Sequence, residues 1–171
     1  MSLCLGDKVG ILIRKATLKD ASLLFLLALE LMAHNRNLNK KDKVRYELLE
    51  LVPNIRILWK KWVTKNITSP NGYVLVASFN GKTVGYSLNF IKENTKVYLV
   101  KKTGYVGDLY IKRGYRNKGI ATKFKELAFK WFRKKGMKYV SIAVHSKNVK
   151  AHLIYKKWGF FDYHIEMRKK L

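Results

Sequence analysis

Val106-Gly107-Asp108-Leu109-Tyr110-Ile111-Lys112-Arg113-Gly114-Tyr115-Arg116-Asn117-Lys118-Gly119-Ile120-Ala121-Thr122-Lys123-Phe124-Lys125-Glu126-Leu127-Ala128-Phe129 reads as a strand, a tight basic loop and the opening turns of a helix. Val106, Leu109, Tyr110 and Ile111 fit a pleated, half-buried surface. Phe124, Leu127, Ala128, Trp131 and Phe132 recur at helical spacing. Between them, Arg116 to Ala121 forms a loop in which Gly119, lacking a Cβ, lets the backbone come close to a ligand. An amide-rich loop that opens a helix, flanked by Arg and Lys, suits an anion. The residue order is neither G-x-x-x-x-G-K-[ST] nor G-x-G-x-x-G, so neither nucleotide fingerprint applies. On pattern alone the stretch fits an anion site and plain α/β scaffolding equally.

The chain has 171 residues, enough for one domain with its own core, and a hydrophobic fraction of 48% suits a globular protein. One domain is expected over residues 1–171, with 1–10 as a loose tail. The single cysteine, Cys4, excludes an internal disulfide and fits a reducing, cytoplasmic compartment. The first ten residues lack the basic start and apolar centre of a secretory signal. The apolar run Leu23 to Met32 contains Glu30 and is too short to span a bilayer, so it reads as a core helix and no transmembrane segment is expected. Charge is extreme: 36 Lys and Arg against 11 Asp and Glu, a formal net charge of +25. Such a field favours anionic partners, such as ribosome or nucleic acid, and a polyanionic cofactor; a solvated lysine-rich surface accounts for it equally well. No nucleic-acid-binding motif accompanies the charge. No Cys/His/Asp cluster has metal-ligand spacing, so no catalytic metal is expected.

Along the chain, Ile11 to Ile13 reads as a strand. Thr17 and Asp20 then fit a capping box, and a helix to about Ala33 is apolar nearly all round. Lys40 to Asn66 reads as further helix, broken or bent at Pro53, with Trp59 and Trp62 on its packing ridge. Tyr73 to Ser78 and Thr83 to Ile91 are strands joined by the Asn80-Gly81 hairpin signal. A basic connection, Lys92 to Lys102, contains a short strand at Val97 to Val100. The central strand follows at Gly104 to Ile111. Helix Lys123 to Lys135 closes at Gly136. Then come strand Tyr139 to Val144, helix Asn148 to Lys157 and a last strand, Phe160 to Met167. The strand–helix–strand crossover implies a parallel pair inside a mixed sheet flanked by helices, an α/β (α+β) fold.

Arg116-x-x-Gly119-x-Ala121 resembles the Gln/Arg-x-x-Gly-x-Gly/Ala signature of the GNAT N-acetyltransferase superfamily. Asp108-Leu109-Tyr110-Ile111 resembles the family's central strand. Asn148-Val149-Lys150-Ala151, Tyr155 and Gly159-Phe160 resemble its second signature, N-x-x-A-x-x-x-Y-x-x-x-G-F. Arg14-Lys15-Ala16-Thr17 with Asp20 is similar to the family opening, so the resemblance runs from about Ile11 to Phe161.

The resemblance implies a single-domain fold with a splayed pair of central parallel strands. It implies acetyl-CoA as donor, CoA as product and direct transfer to a primary amine: a protein N-terminus, a lysine or a small amine. The diphosphate is expected on the backbone of Arg116, Asn117, Lys118, Gly119, Ile120 and Ala121. The pantetheine arm is expected along Leu109, Tyr110 and Ile111, with Asn148 meeting it from the other side. Tyr155 takes the general-acid position beside the cofactor, and a backbone N–H near Leu109 or Tyr110 serves the thioester oxygen. Two residues compete as general base: Asp108, the one acid between Glu93 and Glu126, and His145, at the end of the next strand. Asp108 reads equally as a counter-charge for nearby Lys or Arg. The region of Trp59 and Trp62 flanks the acceptor site in the family. A second class of function stays open beside the enzyme: a non-catalytic module with this fold whose basic surface binds RNA or ribosome.

Overall fold

The computed structural model describes residues 3–4 and 10–171. Strand β1 (Leu3–Cys4) pairs antiparallel with β2 (Ile11–Lys15); residues 1, 2 and 5–9 of the N-terminal stretch lie outside the described residues. Helices α1 (Ala21–Asn37), α2 (Lys43–Glu47) and α3 (Ile55–Thr68) follow. Then come β3 (Gly72–Phe79), β4 (Lys82–Glu93), β5 (Lys102–Ile111), α4 (Ile120–Lys134), β6 (Val140–Ile142) and α5 (Val149–Lys157). The sheet runs β1 to β6 in sequence order, antiparallel throughout except for the parallel pair β5–β6. Asn80 and Gly81, at φ 47° and 76°, make the β3–β4 turn, the positive-φ pair that matches strand twist.

Helices cover both faces. Leu24, Leu27 and Ala28 of α1 and Trp59 and Val63 of α3 pack on Val74, Val76, Tyr86 and Leu88. On the other face, Ile120 and Phe124 of α4 pack on Ile13, Leu75, Ala77 and Ile111, and Phe132 continues the layer onto Val106. At the start of α1, Asp20 accepts from the Thr17 N–H (2.7 Å) and hydroxyl (3.0 Å) and from both terminal nitrogens of Arg14 (2.7 and 2.8 Å). The expected capping residues are thus welded to β2, and the Arg14 guanidinium holds the Asp20 carboxyl down to about 2.

Four expectations are corrected. Helix α1 continues past Ala33 to Asn37. It buries one side only: Leu23 and Leu26 stay 42% and 55% exposed because no layer lies outside it. Val97 to Val100 is not a strand. The Asn94 amide donates to Val100 O (2.9 Å) and Thr103 Oγ1 (2.7 Å), closing a loop at the β4–β5 tip where no third strand is within reach. Phe160 to Met167 is not paired with any strand among the described residues, although its residues alternate as a strand's do.

Candidate active site

Two irregularities shape the site. The first is a bulge. Leu88 stands opposite Asp108 and Asn89 opposite Val106, so Gly107 is the extra residue of β5. A side chain there would press on the Phe90 ring at 3.0 Å, which glycine avoids. The bulge resets the alternation: Val106 faces α4, whereas Asp108 and Tyr110 face the α1–α3 side. The second is a splay. Strand β6 pairs with β5 only from Gly104 to Val106, while β5 runs on to Ile111. Beyond Val106 the open side of β5 has no strand beside it among the described residues.

The Lys112 N–H donates to Val84 O (2.8 Å) on β4. Strand alternation therefore turns the N–H and C=O of Leu109 and Ile111 into the opening and those of Tyr110 toward β4. The main-chain groups of Leu109 and Ile111 thus line the opening, and Ile111 O accepts from Arg116 Nε (2.9 Å). Tyr110 is placed elsewhere: its hydroxyl donates to Glu30 of α1 (2.8 Å).

At the far end of β5 the chain enters the basic loop. Asn117 and Gly119 both have positive φ, 60° and 79°. The first helical bond of α4 is Lys123 N–H to Gly119 O. Among the described residues, the N–H groups from Asn117 to Thr122 donate to no protein acceptor. Successive unpartnered amides at a helix N-terminus form a concave anion seat. A Cβ built on Gly119 meets nothing within 4 Å, so the space before the seat is open. Ile120 anchors the seat by burying its side chain in the core, with Ala121 packed at the edge. Arg116 lies over the Tyr110 ring at 5.8 Å and Lys118 over Phe79 at 5.8 Å. The free amides, the open space and the splay together fit the diphosphate and amide-bearing arm of a CoA thioester.

Across the opening, α5 carries Tyr155. Asn148 caps this helix, its Oδ1 accepting from Ala151 N–H (3.3 Å). Tyr155 packs against Trp158 and Phe160 with ring centroids 5.6 and 6.2 Å away. Burial, reinforced by the Asp108 charge, pushes its phenol up to about 12. Tyr155 and Asp108 therefore share one electrostatic environment although they come from different elements. Asp108 is half-buried, its carboxyl accepts a hydrogen bond from the Tyr86 hydroxyl (2.9 Å), and desolvation raises it above the ordinary carboxylate range. No Lys, Arg or His among the described residues lies within ion-pairing distance of it. This removes the counter-charge reading of Asp108. His145, the rival base, sits at the turn before α5; its carbonyl accepts from Asn148 N–H (2.7 Å), and its Nδ1 is buried without a partner among the described residues.

Sequence reasoning missed Tyr86 and Glu30. They meet Asp108 and Tyr110 across 22 and 80 residues, and no local signal marks them. Aromatic rings continue from Tyr86 along this face: Trp59, Trp62, Phe90 and Tyr105 follow at centroid spacings of 6.2, 6.4, 6.1 and 5.1 Å.

No curated protein sequence matches the chain. Solved structures share its fold. A Bacillus halodurans protein, solved as a tetramutant, superposes with a TM-score of 0.76 at 20% identity, over 93% of this chain and 99% of that one. A predicted acetyltransferase with acetyl-CoA from Clostridium acetobutylicum gives 0.68 at 18% identity, over 94% and 96%. Glucosamine-6-phosphate N-acetyltransferase from Arabidopsis thaliana gives 0.64 at 17%, over 94% and 97%. The model of the acetyltransferase (GNAT) family matches residues 36–160, which hold the bulge, the amide seat and both signatures. The chain belongs to the GNAT acetyltransferase family, whose members take acetyl groups from acetyl-CoA.

Proposed function

We propose that this protein transfers acetyl from acetyl-CoA to a primary amine by direct attack, with Asp108 as base and Tyr155 as acid. The observation that carries this reading is the half-buried Asp108 carboxyl on β5, bonded to the Tyr86 hydroxyl (2.9 Å), with no cation at ion-pairing distance among the described residues, and near enough to Tyr155 for its charge to help raise that phenol. Burial makes Asp108 more basic than an exposed carboxylate, so it takes a proton from an ammonium more readily, directly or through water. The Tyr86 hydroxyl fixes the orientation of Asp108. Tyr155, at about 12, keeps its proton at neutral pH and is suited to deliver it to a leaving thiolate. The Leu109 N–H, turned into the opening, supports negative charge growing on a carbonyl oxygen. The amides from Asn117 to Thr122 hold phosphates and so aim the thioester between β5 and α5.

The aromatic face from Trp59 to Tyr105 borders the acceptor side and suits an ammonium held against ring faces. The net charge of +25 works against free polycations and favours an amine carried by a protein or ribosome. Thiol release from acetyl-CoA with a panel of amines and peptides tests the reading. Tyr155→Phe is expected to lower kcat by about 10²-fold or more with the KM for acetyl-CoA little changed. A kcat within about twofold of wild type removes Tyr155 from the chemistry.

The second reading, a non-catalytic RNA- or ribosome-binding module, draws on the same +25 charge. No turnover with any amine, together with RNA binding that weakens steeply with salt, would select it.

A further inference from the structure

The β4–β5 hairpin ends in Lys92-Glu93-Asn94-Thr95-Lys96-Val97-Tyr98-Leu99-Val100-Lys101-Lys102, which takes no part in the candidate active site. Its four consecutive apolar residues, Val97, Tyr98, Leu99 and Val100, are 80%, 63%, 97% and 39% exposed. None of them joins a core cluster among the described residues. Single exposed apolar residues are ordinary, but a run of four at one apex costs solubility and adds nothing to the fold. The loop is held in shape. The Asn94 N–H donates to Lys101 O (2.8 Å), the Tyr98 N–H to Thr95 O (3.2 Å) and the Lys101 ammonium to Lys96 O (2.7 Å). Together with the Asn94 side-chain bonds to Val100 O and Thr103, these close the base and leave the apex turned outward. Lys92, Lys96, Lys101 and Lys102 flank the apolar run, all of them exposed, against the single acid Glu93.

We propose that this tip docks the protein on an anionic lipid bilayer, with Val97 to Val100 entering the headgroup layer and the flanking lysines lying on lipid phosphates. Apolar burial joined to attraction for anionic lipid is the physics of peripheral attachment. Lysine stems follow apolar surface while their ammonium groups stay with the phosphates, and a tyrosine suits the boundary between the two. The shape selects the partner. A convex apex enters a fluid surface without a matching pocket, whereas nucleic acid would use the lysines and leave Val97 and Leu99 in water. The net charge of +25 adds long-range attraction to the same surface. The tip precedes β5 and the amide seat follows it, so a strand of ten residues sets them roughly 30 Å apart. Docking therefore leaves the seat open to a soluble cofactor.

The proposal does not depend on the acetyl-transfer reading. Sedimentation of the full chain with vesicles of phosphatidylcholine alone, and of phosphatidylcholine with phosphatidylserine at about three to one, tests it. Binding to the mixed vesicles is expected to be at least about tenfold tighter than to phosphatidylcholine. The double variant Val97→Ser/Leu99→Ser keeps the net charge and should bind the mixed vesicles at least about tenfold more weakly. Its circular-dichroism spectrum should not change, because both side chains are exposed. Ile57→Ser, on α3 and 70% exposed, should bind as wild type does. A wild type that ignores the mixed vesicles overturns the proposal; if it binds RNA or self-associates instead, and the double variant does not, the tip serves that partner. A double variant that binds like wild type shows that charge alone attracts the protein. An equal loss in Ile57→Ser shows that any exposed apolar residue suffices, and equal binding to the two vesicles shows that the lysines have no role. Each of these results overturns the proposal.

Discussion

Asp108 is a carboxylate in a chain crowded with cations, yet it bonds to a phenol. Its desolvation costs free energy when it ionises, and no ion pair among the described residues offsets that cost. Such a group suits the role of base proposed for it. Because desolvation raises its pKa, kcat/KM is expected to climb with pH through a point above the ordinary carboxylate range. The profile then has no Tyr155 limb until about 12. Asp108→Asn should abolish that acid limb and lower kcat/KM by about 10² or more. If the limb survives in Asp108→Asn and disappears in His145→Gln, the base is His145. Tyr86→Phe, which leaves the carboxylate in place without its donor, should shift the limb further upward, since the Tyr86 hydrogen bond holds the Asp108 pKa down.

The loop before α4 and the cap of α1 show how a few residues commit an element. Gly119 stands at φ 79°, where a side chain strains the backbone by about 1–2 kcal/mol, but its Cβ would strike nothing. Gly119→Glu is therefore expected to fold and to lose CoA affinity by at least about tenfold, its carboxylate competing for the amides that should hold phosphate. Unchanged affinity by calorimetry, alongside an intact spectrum, would move the phosphates elsewhere.

At α1, Asp20 ties Arg14, Thr17 and the helix start together. Its pKa is depressed in the folded state, so its stabilisation is complete above the unfolded value of about 4 and is lost as pH falls toward about 2. Arg14 is 39% exposed, which screens the pair and leaves about 1–2 kcal/mol. Asp20→Asn should lower stability by that amount at pH 7 and converge on wild type near pH 2, as read from urea midpoints. A constant difference across that window would show that the carboxylate's charge is not what matters.

Over the whole molecule, short-range patterns carried most of the architecture. Val106 to Phe129 announces strand, loop and helix because periodicity, turn chemistry and glycine placement act within a few residues. The Asn80-Gly81 hairpin, the Thr17–Asp20 box and the Asn148 cap are legible for the same reason. The bulge at Gly107 is not, since it is a mismatch between two strands and is spelled in neither. The alternation of Phe161 to Met167 marks a strand, but a strand exists only when an edge accepts it, and the edge belongs to another part of the fold. By itself, then, the sequence determined the fold class and singled out the loop before α4 and Tyr155 for the roles proposed for them, because each is written in nearby residues. The tertiary structure alone decided that Asp108 bonds to Tyr86 rather than pairing with a cation, that Tyr110 turns to Glu30, and that β5 and β6 part after Val106. Desolvation and strand divergence arise from how distant segments pack, and no window of sequence contains them.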